Sequence, residues 1–162
     1  MIKLLIVEDH HLVRLGLRGI LDDAPGIEII GEAESGEEAL QLCRDLVPDV
    51  ILMDISLPGL SGFETSCRIL RQLPDVRILA LTAHAQAPYP ARLMDMGVAG
   101  FLTKACSASE LVQAIRTVHC GERLPSRFRR TSWSLTRGMR SRRLLSSTRV
   151  SAPLLRWSKT SL

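Results

Sequence analysis

Glu8 and Asp9, Asp54, Thr82 and Lys104 each close a short apolar run in the first two-thirds of the chain. If those runs lie side by side in one sheet, all five polar groups emerge at the same edge. Three carboxylates gathered there repel one another, so they must hold a proton or bind a cation. A hard divalent ion is the natural solution. Magnesium takes oxygen ligands, uses few protein carboxylates and binds best where a phosphoryl group completes its shell. A lysine ammonium offers a point charge to an anionic oxygen, and a threonine hydroxyl can hydrogen-bond to another. One acid at a strand end is as readily a solvated loop residue, but the recurrence of polar groups at matching strand ends argues against that for the set.

The elements that must position these groups are legible as strand-like runs alternating with helix-like ones, the pattern of βαβ units and a parallel sheet. Strands are predicted at Lys3–Glu8, Glu28–Ala33, Asp49–Asp54, Arg77–Thr82 and Ala99–Thr103, each apolar on both faces as a sheet covered by helices requires. Helical spacing of three and four links Val13, Leu17, Ile20 and Leu21, then Ala39, Leu40 and Cys43, then Ile69 and Leu70, and last Leu111, Val112, Ile115 and Val118. Ser35 with Glu38, Ser61 with Glu64 and Ser107 with Glu110 match the capping box. Pro90 suits the first turn of a fourth helix. Pro48 and Pro74 stop helices, and Gly97 and Gly121 suit the left-handed position just past one. Right-handed crossovers restrict how such a chain can wind, and the fold expected is an α/β, doubly wound, five-stranded parallel sheet of order 2-1-3-4-5, in which the first and third strands are neighbours. Its crevice, at the ends of the first and third strands, would hold Glu8, Asp9 and Asp54.

The motifs at those ends are Ile6-Val-Glu-Asp9, Leu52-Met-Asp-Ile55 followed by Leu57-Pro-Gly59, Leu81-Thr-Ala83 and Gly100-Phe-Leu-Thr-Lys104. Together they resemble the CheY-like, flavodoxin-like receiver domain of two-component response regulators, across residues 1–121. Asp9-His-His-Leu-Val-Arg-Leu-Gly16 and Pro88-Tyr-Pro-Ala-Arg-Leu93 are similar to the NarL/FixJ class, most of all to its GacA/UvrY type of global regulator.

The resemblance implies a signalling phosphoacceptor rather than an enzyme. Asp54 would take a phosphoryl group from a cognate histidine kinase. Glu8, Asp9, Asp54 and the backbone carbonyl of Ser56 would hold Mg2+, and Lys104 and Thr82 would contact phosphoryl oxygens. Thr82 and Phe101 would form the switch, Phe101 having a plain alternative as a core aromatic. A homodimer or heterodimer through the receiver is a further implied partner. Glu8 stands where aspartate is more frequent and Ala105 where many receivers have proline, and neither change removes a functional group. Ser56 and His84 each lie two residues past an active-site position and are candidates for tuning the phosphoryl lifetime.

Rival chemistries fit less well. A dehalogenase-like aspartyl phosphatase would place a second acid two residues after a nucleophile on the first strand, a spacing that Glu8-Asp9-His10-His11 lacks. Gly31-Glu-Ala-Glu-Ser-Gly36 has the glycine spacing of a phosphate loop, yet Glu37 sits where its lysine belongs. His10 and His11 suggest a metal or a phosphocarrier histidine, but adjacent histidines at a helix start read more readily as partly exposed first-turn residues. Cys43, Cys67, Cys106 and Cys120 show no zinc or redox spacing and read as reduced thiols. Cys106 is near enough to Lys104 to raise the question of reactivity.

The 162 residues, 46% hydrophobic, suffice for one sizeable core. No apolar stretch approaches the roughly 18 residues of a membrane span. Ile2–Val7 is too short and charged for a signal peptide, so a cytoplasmic location is expected.

Charge divides the chain near Gly121. Residues 1–122 carry seventeen acids and ten bases, a net of −7, whereas residues 123–162 carry eleven bases and no acid. From Leu124 onward no helical period is sustained, so residues 122–162 are expected to be a disordered basic tail lacking the helix-turn-helix domain of full regulators. Two explanations compete for it. Arg127–Arg143, with Phe128 and Trp133 interleaved, could bind nucleic acid without sequence preference. Alternatively the reading frame changed after Gly121-Glu-Arg123, a reading favoured by the abrupt end of the resemblance where composition turns one-sided. Because the helix-turn-helix is absent, direct regulation of promoters is doubtful, and the alternative output is that of a phosphate sink or a dimerisation competitor of intact regulators.

Overall fold

The computed structural model describes residues 1–83 and 89–124. His84 and residues 125–162, with the tail readings attached to them, lie outside the described residues. Five strands, β1 (Ile2–Val7), β2 (Ile27–Ala33), β3 (Val50–Asp54), β4 (Arg77–Thr82) and β5 (Gly100–Thr103), alternate with α1 (His11–Asp22), α2 (Gly36–Leu46), α3 (Gly62–Gln72), α4 (Tyr89–Asp95) and α5 (Ala108–His119). All strand pairs are parallel and the order is β2-β1-β3-β4-β5. This is the doubly wound, flavodoxin-like sheet that the alternation predicts. Among the described residues no helix is long and apolar enough to cross a membrane.

Strand periodicity sends alternate side chains into two separate cores. Leu4, Ile6, Val50, Leu52, Leu79, Leu81 and Leu102 pack under α1 and α5, against Leu21, Leu111, Ala114, Ile115 and Val118. Leu5, Val7, Ile51, Met53, Ile78, Ala80 and Phe101 face the other way, against Ala39, Cys43, Ile69 and Leu93 of α2, α3 and α4. Full burial of such a side chain contributes about 1.5–3 kcal/mol. The sheet, covered on both sides, is thus the rigid member of the fold.

β2 departs from the predicted pattern. It is an edge strand, its middle is only half-buried, and Glu28 is exposed. A shift in its pairing with β1 between Leu4 and Leu5 leaves Ile30 without a direct partner.

Serine caps all three helices named from sequence, each accepting a hydrogen bond from the backbone N–H three residues on. The reciprocal half of the box exists in α5 alone among them, where Glu110 accepts from the Ser107 backbone at 2.8 Å. In α2 the Glu38 carboxylate reaches past the cap to the Glu34 N–H, and in α3 Glu64 pairs with Arg68 instead. Both alternatives satisfy the same carboxylate, so sequence spacing alone does not choose between them. Pro90 lies in the first turn of α4, and Gly97 and Gly121 take positive φ of 94° and 84° just past their helices.

Beyond Gly121 the chain returns to the sheet. Leu124 is buried over Gly100, and its N–H donates to the Ala99 carbonyl at 3.3 Å. A Cβ added at Gly100 would lie 2.5 Å from the Leu124 side chain, so the glycine is what admits it.

Candidate functional site

Register brings the polar strand ends together. Val7 lies beside Met53, Asp54 beside Leu81, and Thr82 beside Thr103. One ladder step further on, the Glu8 N–H donates to Ala33 O at 3.0 Å, Ile55 N–H to Leu81 O at 3.1 Å and Lys104 N–H to Thr82 O at 2.9 Å. Glu8, Asp54, Thr82 and Lys104 therefore share one edge although they come from β1, β3, β4 and β5.

At that edge Lys104 Nζ donates to Asp54 Oδ2 at 2.9 Å and to Glu8 Oε1 at 3.0 Å. Both carboxylates are fully buried, whereas the lysine side chain keeps 19% of its surface in solvent. Burial by itself would lower the ammonium pKa, but hydrogen bonds and charge from Glu8 and Asp54 outweigh it and hold the pKa above the ordinary lysine value. Lys104 is thus a fixed cation. The second Asp54 oxygen, Oδ1, accepts from the Ser56 backbone N–H at 3.0 Å.

Two buried oxygens are left over. Glu8 Oε2 and Asp9 Oδ1 have no hydrogen bond, although Oε2 lies 2.7 Å from Lys104 Nζ and Asp9 Oδ1 lies 3.0 Å from His10 Nδ1. Each is thus close to a nitrogen that does not hydrogen-bond to it. Orphaned buried carboxylate oxygens are costly unless a cation completes them. Glu8, Asp9, His10 and Asp54 present ligand atoms that all lie within 4.8 Å of one another. This oxygen-rich donor set fits Mg2+.

The local chain explains how Asp54 is held. Gly62, at the start of α3, packs so closely on the end of β3 that a Cβ there would lie 1.9 Å from the Asp54 carbonyl oxygen. Thr82 is half-buried at the last position of β4, and Phe101, 3% exposed, lies in the core beneath α2, α3 and α4.

Sequence reasoning weighed His10 and passed over Arg14. His10 is exposed, as adjacency to a helix start suggests, yet its Nδ1 stands 3.1 Å from Glu8 Oε1 and faces the acids. Arg14 is buried, and its signal was its place on the inward stripe of α1 between Val13 and Leu17.

The family model of the response regulator receiver domain matches residues 4–116. The response regulator GacA of Pseudomonas syringae pv. syringae (strain B728a) is 46% identical over 123 residues, covering 76% of this chain and 58% of its own. Response regulator UvrY of Escherichia coli (strain K12) is 48% identical over 123 residues, covering 76% of this chain and 56% of its own. The chain spans well under two-thirds of the length of these curated relatives. A crystal structure of a LuxR-family two-component response regulator from Aurantimonas sp. SI85-9A1 is similar with a TM-score of 0.73 and 34% identity, covering 76% of this chain and 88% of that one. Strand-end geometry, donor set and these likenesses converge: the chain belongs to the response regulator receiver domain family, on its NarL/FixJ, GacA/UvrY branch.

Proposed function

We propose that Asp54 is the phosphoacceptor of this phosphoryl-accepting receiver domain and that a histidine kinase is its donor. The observation that carries the reading is the buried Asp54 carboxylate, oriented by the Ser56 N–H and Lys104, beside carboxylate oxygens of Glu8 and Asp9 that no hydrogen bond satisfies. An Asp54 oxygen attacks phosphorus as the P–N bond to the donor imidazole breaks, and that electron pair stays on the imidazole nitrogen. Phosphoryl transfer asks mainly for alignment and charge neutralisation. Glu8, Asp9, Asp54 and the Ser56 carbonyl would hold Mg2+, which when bound supplies neutralisation at the phosphoryl oxygens.

The chain's own groups then exchange partners. Lys104 trades its contact with Asp54 for a phosphoryl oxygen, while the Thr82 hydroxyl turns toward another. Space left by Thr82 becomes available to Phe101, coupling the site to the α4–β5–α5 side of the domain. Such a change shifts a conformational equilibrium only through contacts made in one state and not the other. Residues 1–121 constitute the receiver in this reading and residues 122–162 a basic segment whose start, at Leu124, packs back on the sheet.

The test is labelling of the full chain with acetyl phosphate, read by intact mass. One phosphoryl group is expected on the wild type with Mg2+, and none on Asp54→Asn or after chelation. Asp9→Ala is expected to need far more Mg2+. Labelling of Asp54→Asn equal to that of the wild type would overturn the assignment.

A further inference from the structure

Arg14 is the one arginine of α1 whose side chain is withdrawn from water, 9% exposed against 57% for Arg18 one turn on. A buried guanidinium is tolerated only when its donors are met. Its partners are specific. Nη1 donates to the backbone carbonyl of Glu8 at 2.8 Å. Nε lies 3.3 Å from Glu32 Oε2, and Nη2 contacts the Glu34 carboxylate and, at 3.3 Å, His11 Nδ1.

Pairing with Glu32 and Glu34 would be enough to neutralise the charge and to staple α1 to β2. The bond to Glu8 does something else. The Glu8 N–H is already held by Ala33 O at 3.0 Å, so the arginine grips the opposite side of the same residue. With both peptide groups restrained, the Glu8 carboxylate and the Asp9 that follows it are presented from a fixed main chain. Each of these two residues contributes one of the orphaned oxygens.

We propose that Arg14 is a positioning residue for the metal site, acting through the Glu8 carbonyl to set where the Glu8 and Asp9 carboxylates stand and hence how tightly Mg2+ binds. The inference rests on the reading of that cluster as the Mg2+ site. Groups that orient metal ligands from behind typically change metal affinity about 10–100-fold when removed. Shape matters as well as charge, since only a planar fork reaches a carbonyl on one side and two carboxylates on the other.

The experiment is calorimetric titration of the full chain with Mg2+, alongside thermal unfolding. Arg14→Ala is expected to weaken Mg2+ binding about tenfold or more. Arg14→Lys, which keeps the charge at a single point, is also expected to bind several-fold more weakly, and it carries the test alone if Arg14→Ala does not fold. Leu17→Ala loosens the same helix without touching Glu8 and is expected to leave the affinity within about twofold. Wild-type affinity in Arg14→Lys would overturn the proposal, and so would equal weakening by Leu17→Ala at a matched loss of thermal stability. If instead the wild type fails to bind Mg2+, or Asp9→Ala binds it unchanged, the metal reading itself falls, and the Arg14 proposal with it.

Discussion

Lys104 is the charge that lets two carboxylates share the buried end of a sheet. Losing it leaves Glu8 and Asp54 facing each other without compensation, and breaking a buried pair in this way costs about 3–5 kcal/mol, less where one partner keeps some solvent. Lys104→Met is therefore expected to lower the unfolding free energy by about 2–4 kcal/mol without Mg2+ and by less at saturating Mg2+, as measured by urea unfolding. The pH dependence has a definite sign. Because the folded pKa is raised, the stabilisation is complete below the unfolded lysine value of about 10.4 and disappears as pH rises through the higher folded value. The stability gap between wild type and Lys104→Met should hence narrow above that pH. Cysteine chemistry follows burial: burial pushes the Cys43 thiol up to about 12, and burial followed by Glu110 raises Cys106. An alkylating reagent at pH 8 is expected to modify exposed Cys120 first and Cys43 only on unfolding, with peptide mapping as the readout. Cys106, raised by burial and Glu110, is expected to react after Cys120 despite its closeness to Lys104.

At the scale of elements, helix starts decide the precision of the site. Ser107→Ala removes a hydroxyl that both accepts from the Glu110 N–H and donates to the Glu110 carboxylate, leaving only the backbone half of the reciprocal cap, and is expected to cost about 1–2 kcal/mol, against about 0.5–1 kcal/mol for Ser35→Ala or Ser61→Ala. Chemical denaturation of the three variants would show the order. Gly62 is a sharper case, because the α3 start and the end of β3 approach backbone to backbone. A methyl group there must displace either Asp54 or Ile55, both within 2.8 Å of its ideal position. Gly62→Ala is expected to destabilise by about 2–4 kcal/mol and to reduce acetyl-phosphate labelling, a double effect that a surface helix glycine such as Gly19 would not show. The alternation of strands and helices was readable because each period is set by near neighbours. The half-buried β2 was not, since an edge position depends on what the rest of the chain places beside it.

For the molecule as a whole, the packed chain runs past the composition change near Gly121, because Leu124 fills the space over Gly100. Leu124→Ala is expected to cost about 2–3 kcal/mol in thermal or urea unfolding, as for other buried leucines. From the sequence alone came the order of elements, the doubly wound topology and the edge at which Glu8, Asp9, Asp54, Thr82 and Lys104 gather. The order of elements follows from periodicity, which acts over short stretches of chain, the handedness of crossovers restricts the winding, and the strand order and shared edge come with the motifs of the family. Tertiary structure alone decided which atoms meet. Lys104 reaches Glu8 across 96 residues of sequence and Asp54 across 50, Arg14 turns inward to hold a carbonyl, and two carboxylate oxygens are left buried without a hydrogen bond. Contacts of that kind depend on register and on competition among partners in three dimensions, and no local pattern records how that competition ends.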